Sequence, residues 1–430
     1  MAFSGRFVIA VALGIVPIVY FNDASAAWWW LLLLLVLCIV DLVIAGSPRK
    51  LALHRELPGA LRLGESTSAR LYLTNNGRRR VRGIVRDGWQ PSAGAGPRTQ
   101  RVSVPVGERR SIVTALTPFR RGERRAHHVT IRSFGPLGLV ARQASIAAPG
   151  AVKVLPPFTA RKHLPSRLAR LRELDGATSV MVRGQGTEFD SLRDYVRGDD
   201  VRSIDWRATA RRSDLVVRTW RPERDRRVVI IIDSGRTSAA RIDNEPRLDT
   251  AFESALLLAA LATKAGDRVD LVIYDRRVRA RVQGATGPEL MNRMVTSMAP
   301  VEPELIEMDW TVVPGLVRSI TSSRALVVLC TSIDAPGASR GLLTVLPELA
   351  KKHLVLVSSV TDPAVIATSH QRADRREVYL AAAAERALLD QSRVAAAIRQ
   401  SGADVVTGPP ADLPPALADR YIALKAAGRL

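Results

Sequence analysis

Residues 228–238 read VVIIIDSGRTS. Five β-branched residues in succession leave no polar face, so the segment suits the middle of a parallel sheet covered by helices on both sides. Asp233 closes the run, and hydroxyl side chains follow it. In sheets of this kind ligand sites gather at the carboxyl ends of the strands. The flanking sequence alternates to match. After RVVIIID come a helix in RLDTAFESALLLAALATKAG, strands RVDLVIYD and VRARVQ, a helix in PELMNRMVTSMA, strand ALVVLCTSID, helix GLLTVLPELAKK and strand HLVLVSSV. A helix in LDQSRVAAAIRQSG, a short strand ADVVTG and a closing helix follow. That order predicts an α/β fold, a doubly wound and mainly parallel sheet over residues 227–430.

The first 48 residues are of another kind. FVIAVALGIVPIVYF (Phe7 to Phe21) is short for a membrane span, whereas AWWWLLLLLVLCIVDLVIA (Ala27 to Ala45) has the length to cross a hydrocarbon core of ~30 Å. Together they predict a transmembrane helical hairpin over 1–48. Arg6 precedes it, Arg49, Lys50 and Arg55 follow it, and the NDASA connection carries no basic residue. The positive-inside rule then places both ends, and the bulk of the chain, on the cytoplasmic side of the plasma membrane. ASA at 24–26 also resembles a signal-peptide cleavage site, which would leave the second span as the anchor. Asp41 inside that span reads as an interfacial residue, a contact within the hairpin or a partner-facing group.

Residues 49–150 alternate apolar and polar positions in STSARLYLTNNG, TQRVSVPVGERRSIVTAL and AHHVTIRSFGPLGLVARQASIA, with turn signals between them. This is the pattern of a small antiparallel β-sandwich. Of the formal net charge of +22, residues 50–150 carry +14, from 19 basic and 5 acidic residues. Cations beside a membrane are drawn to anionic lipids of the inner leaflet, so these lipids are an expected partner. Nucleic acid is not, because aromatics make up 5% of the chain and no groove-reading motif interrupts the basic runs. The two cysteines, Cys38 and Cys330, lie far apart in apolar stretches and predict no disulfide.

Residues 151–226 read as a linker and a charge-dense segment. Carboxylates at Glu188, Asp190, Asp194, Asp199, Asp200 and Asp205 alternate with arginines at 193, 197, 202, 207, 211 and 212. Each acid has a base within a few residues, which favours an ion-pair network, with Asp190 and Arg193 or Asp194 and Arg197 paired on one helical turn. The competing reading is a metal-dependent enzyme using this cluster with Asp233. GQG lacks the rest of a phosphate-binding loop, the six histidines show no metal-ligand spacing, and there is no G-x-S-x-G elbow or C-x-x-C.

The run GTEFDSLRDYVRGDDVRSIDWRATARRSDLVVRTW (186–220) resembles the signature of the bacterial domain-of-unknown-function 58 family, whose members join it to a von Willebrand factor A-like domain. RRGE (120–123), FGPLGL (134–139) and YIALKAAGRL (421–430) are similar to that family's layout as well. The signature residues so marked are Glu188, Phe189, Arg193, Tyr195, Gly198, Asp199, Asp200, Arg202, Asp205, Trp206 and Arg211. The resemblance implies a membrane-anchored, non-enzymatic adaptor that works with a MoxR-type AAA ATPase in complex assembly or cell-envelope maturation. It also implies a cation loop of the form Asp-x-Ser-x-Ser, completed by a threonine and an acid from two other loops. Onto that pattern fall Asp233, Gly235 and Thr237, with Asp334 as the third-loop acid and only Glu307, Asp309 and Thr311 near the second loop. One hydroxyl is missing at Gly235, where glycine would also serve a positive φ. Mg2+ is therefore the one cofactor the resemblance suggests, at a degenerate site of Asp233, Thr237 and Asp334.

Overall fold

The computed structural model describes residues 2–23, 25–181, 188–197, 199–212, 214–221, 226–243 and 245–430. The chain forms two compact units, Met1–Pro156 and Pro157–Leu430.

The first unit begins with apolar helices. Gly5–Leu13 and Ile15–Phe21 are short, and Ser25–Ile44, with 20 residues, is long and apolar enough to cross a membrane. Trp30 donates its indole N–H to the Ala10 carbonyl at 3.1 Å. A side chain at Gly14 would overlap that indole.

Two sheets follow. One orders Leu51–Glu56, Thr67–Asn75, Arg109–Leu116 and Ala95–Gly96; the other is built around Val140–Leu155, Gly122–Phe134, Val81–Trp89 and Gln100–Val104. The inward positions of both, including Leu71, Leu73, Val85, Ile112, Val129 and Ile131, pack into one core. Alternation along each strand is the reason: in Thr67–Asn75 the residues at 69, 71, 73 and 75 are buried and their neighbours are not. Arg55 lies within this unit and does not flank the membrane as a free cation. It forms a bidentate, buried pair with Asp87 at 2.7 and 2.8 Å, and Asp87 also accepts from the Trp89 indole at 2.8 Å.

In the second unit a six-stranded sheet is parallel except for Val278–Val282. Numbered along the chain, its strands lie in the order 3-2-1-4-5-6. The order reverses between Arg227–Asp233 and Leu326–Cys330, which pair in parallel with Ile232 beside Cys330. Alternate residues of the apolar run face opposite helical layers. Val229 and Ile231 join a core with Val313, Val317, Leu342, Leu346 and Ile398. The other face is covered by Arg247–Lys264 and Leu413–Ala426.

Residues 157–181, expected as linker, pack into this unit. Glu253 is buried and accepts from the Thr159 and Ala160 backbone N–H groups, each at 3.1 Å, and from the Thr159 hydroxyl at 2.8 Å. Helix Leu164–Met181 buries Leu171, and Arg167 pairs with Asp419 at 2.7 Å. The YIALK motif is explained by packing too: Asp267, buried before its strand, accepts from the Tyr421 hydroxyl at 2.5 Å and from Lys425 at 2.9 Å.

Candidate functional site

Three adjacent strands end at the reversal point, and each hands a polar residue to the same place. Asp233 is 4% exposed. Its Oδ2 accepts from the Thr331 hydroxyl at 2.7 Å and the Thr237 hydroxyl at 3.4 Å, and its Oδ1 accepts from the Gly235 N–H at 2.8 Å. Burial pushes the Asp233 carboxyl above its ordinary range; the three hydrogen bonds oppose the shift and nearby Asp275 adds to it. Asp275 follows the neighbouring strand and is fully buried. Burial alone would raise it as well, but Arg279 at 2.5 Å, the N–H groups of Arg276 and Arg277, and the Ser234 hydroxyl at 3.1 Å outweigh that, so it lies below the ordinary carboxylate range.

Of the three residues expected to hold a cation, the structure brings Asp233 and Thr237 together and leaves Asp334 apart. Asp334 is half-exposed and paired with Arg247. Glu307 pairs with Arg236 at 3.0 Å, and the Thr311 hydroxyl donates to Asp309 at 2.6 Å. Neither reaches Asp233 by a hydrogen bond. Asp233 thus gathers two hydroxyls, while the neighbouring Asp275 carboxylate is taken by Arg279 and the Ser234 hydroxyl, and among the described residues no three His, Cys, Asp or Glu side chains group as metal ligands. Mg2+ asks for six oxygens in near-ideal octahedral geometry, and the guanidinium of Arg247 lines the same small cavity as Thr237, Thr331, Ser332 and Ser358. The residues present do not fit a divalent ion.

Thr331 is the member of this site that the sequence reading missed. The signal was present: CTSID follows an apolar strand, and the register that sets Ile232 against Cys330 sets Asp233 beside Thr331. Gly235 has φ −75°, so positive φ is not its reason. Close approach is: a Cβ there would lie 2.8 Å from the Ile306 carbonyl oxygen and 3.3 Å from the Met308 nitrogen.

The charge-dense segment forms a small module rather than a helix with paired turns. Glu188–Asp194 and Val216–Arg221 are antiparallel strands, with Trp206–Arg212 helical between them. Arg193 pairs with Asp199 at 2.6 Å, and Asp199 also accepts from the Val196 N–H. Asp205 caps the helix through the N–H groups of Arg207 and Ala208, each at 3.0 Å, and pairs with Arg218 at 2.8 Å. Asp200 accepts from the Arg202 N–H. These contacts hold Asp199 and Asp205 below the ordinary carboxylate range, Asp199 mainly through Arg193 and Asp205 mainly through the Ala208 N–H. Tyr195 is half-buried, its N–H on the Leu215 carbonyl, while Arg202, Trp206 and Arg211 are exposed. The side chains of Glu188, Phe189 and Asp190, and Gly198 as a whole, lie outside the described residues. Carboxylates this well supplied with partners act as framework. Of the module's apolar side chains Val216 and Val217 are buried, whereas Leu192, Val196, Val201, Trp206 and Leu215 are exposed, Trp206 at 64%.

A third polar site sits in the first unit. Asp41, near the end of helix Ser25–Ile44, is fully buried within the first unit rather than turned outward to a partner. It accepts four backbone N–H groups of the FGPLGL turn and the residue after it: Leu137 at 2.9, Gly138 at 3.3, Leu139 at 2.8 and Val140 at 3.1 Å. Gly135 admits it, since a Cβ there would lie 2.2 Å from the carboxylate. Arg142 donates to the Leu42 carbonyl at 2.9 Å.

Among solved structures, the chain is similar to the CARDB domain of the PF1109 protein from Pyrococcus furiosus, with 17% identity and a TM-score of 0.20 over 26% of this chain and 94% of that one. The uncharacterized protein Rv1480 of Mycobacterium tuberculosis is 26% identical over 192 residues, which is 44% of this chain and 60% of that protein. The uncharacterized protein YeaD of Bacillus subtilis is 26% identical over 115 residues, 26% of this chain and 28% of that protein. The chain therefore matches less than two thirds of the length of either relative. The family described as "Protein of unknown function DUF58" matches residues 191–367, which take in the charge-dense module from its first strand onward and the reversal point of the sheet.

Proposed function

We propose that this protein is a membrane-anchored adaptor that captures a protein partner through the 188–221 module. One observation carries the reading: between Leu192 and Leu215 five large apolar side chains stand exposed on a framework that pairs Asp199 with Arg193 and Asp205 with Arg218. Apolar groups rimmed by paired charges are what a partner surface offers, and Trp and Arg supply most of the binding energy at such surfaces. The second unit reads as a von Willebrand factor A-like domain, on its strand order with one antiparallel edge strand, and the two N-terminal apolar segments read as a hairpin that keeps the bulk of the chain cytoplasmic. A MoxR-type AAA ATPase is the partner this family resemblance implies. The adaptor carries no catalytic role in this reading, and inner-leaflet anionic lipids hold its basic first unit.

The test is affinity capture of the full tagged chain from native membranes, with and without ATP, against a Trp206→Ala variant. An AAA ATPase should be recovered with the wild type and fall several-fold with the variant. Equal recovery by both, or no such ATPase with either, would sink the proposal.

A further inference from the structure

The turn NGRRRVRG (76–83) puts arginines 78, 79, 80 and 82 in a row. It is a built turn. The buried Asn75 side chain donates to the Arg79 carbonyl at 2.9 Å and the Val104 carbonyl at 3.0 Å, and accepts from the Gly77 N–H at 2.9 Å. The chain leaving the apolar helix runs directly against it, since a Cβ on Gly46 would lie 2.4 Å from the Arg80 carbonyl oxygen. Arg79, Arg80 and Arg82 thereby line an open groove of about 500 Å³ with Ile44, Phe134, Gly135 and Pro136.

Two properties of this groove bear on a ligand. Some arginines of the unit have carboxylate partners, as in the pairs of Arg55 with Asp87, Arg110 with Glu108 and Arg125 with Glu123, whereas 79, 80 and 82, adjacent in one turn, are exposed and form no ion pair among the described residues. The groove also has one apolar side, and Ile44 is the last residue of the 20-residue apolar helix. Three unpaired guanidiniums beside apolar walls, at the level where a spanning helix leaves hydrocarbon, match one ligand chemistry: a phosphodiester with acyl chains attached. We propose that the groove binds the headgroup of an anionic phospholipid, with Arg79, Arg80 and Arg82 on the phosphate and Ile44 and Phe134 against the glycerol and upper acyl chain. The proposal rests on the reading of Ser25–Ile44 as a membrane span.

The experiment uses the full chain in detergent micelles, with phosphatidylglycerol, phosphatidylcholine or inorganic phosphate added, and reads lipid retention by native mass spectrometry and the melting temperature. The test variant is Arg79→Gln, Arg80→Gln, Arg82→Gln; the control, Arg98→Gln, Arg101→Gln, Arg120→Gln, removes the same charge from exposed positions outside the groove. Wild type and control should retain phosphatidylglycerol over phosphatidylcholine, and the test variant should lose at least about tenfold in retention while melting normally without lipid. Equal retention by test and control variants would overturn the site. Equal stabilisation by inorganic phosphate would assign it to a free anion instead. Carbonate washing of membranes separates the two readings: release of the wild type overturns the span and this proposal together, while retention without lipid selectivity overturns this proposal alone.

Discussion

Asp41 and Asp233 are both buried aspartates at the end of an apolar element, and they are satisfied in opposite ways. Around Asp41 every donor is a backbone N–H of one turn. Such donors can neither rotate nor accept, so only a group with two acceptor oxygens fits. Around Asp233 two of the three donors are hydroxyls. A hydroxyl can turn and accept, so this site tolerates a change of partner. The first arrangement is a fixed joint, and the second is a place where a ligand group can replace an internal bond at little cost.

The sharpest way to break this comparison is an asparagine at each position. Asp41→Ala should cost about 3 kcal/mol or more, because several buried N–H groups lose their acceptor. Asp41→Asn should do nearly as badly, since its amide NH2 would face donors. Asp233→Asn should instead recover most of the stability lost in Asp233→Ala, its NH2 donating to the turned hydroxyls of Thr331 and Thr237. Thermal unfolding of the full chain in detergent reads all four variants; equal rescue by asparagine at both sites would remove the distinction.

Next in size is Gly235→Ser. The added Cβ must displace the backbone at Ile306 and Met308, so a loss of about 1–3 kcal/mol is expected, with no gain of Mg2+ affinity in calorimetric titration. Tight Mg2+ binding by this variant would mean that the loop is a cation site short of one ligand.

Thr331→Val should cost about 1–2 kcal/mol by removing one hydrogen bond to a buried carboxylate. Thr311→Val, whose hydroxyl bonds only to the exposed Asp309, should change stability by less than about 0.5 kcal/mol. If the two variants melt alike, Thr331 has no part in the site.

The smallest effect is on the pH profile. Asp275 has a lowered pKa when folded, so its contribution is complete above the ordinary carboxylate range and is lost as pH falls through the folded value. Asp233 has a raised one, so stability declines as pH rises from the ordinary range through that value. Denaturant midpoints measured from below the ordinary carboxylate range to neutrality should show a shallower acid limb in Asp275→Asn than in wild type, and a steeper loss toward neutrality in Thr331→Val, whose missing hydroxyl leaves the Asp233 carboxyl shifted further up; a shallower loss in that variant would be the wrong sign.

The sheet was legible because VVIIID has one physical explanation, burial on both faces, and because helical and strand periods alternate after it. What could not be read were contacts that join distant residues. Asp41 meets its partners 96 to 99 residues away, and its place in an apolar helix invited a membrane explanation. The pairing of Asp199 with Arg193 was half-legible: the balance of charge showed, but local spacing suggested a helical turn where the chain makes a strand and a loop. Thr331 reaches Asp233 through strand register, which proximity along the loop around Asp309 does not reveal.

The clasp of Tyr421 and Lys425 on Asp267 has a consequence for synthesis. Lys425 is 158 residues beyond the aspartate it neutralises. At a ribosomal pace of about 5–20 residues per second, the first strands of the sheet emerge roughly 8–30 s before that buried carboxylate can be paired. Until then helix Arg247–Lys264 also lacks the helix that covers it, and its apolar face remains open to chaperones and proteases. A nascent chain interrupted in that interval keeps this part of the core uncovered.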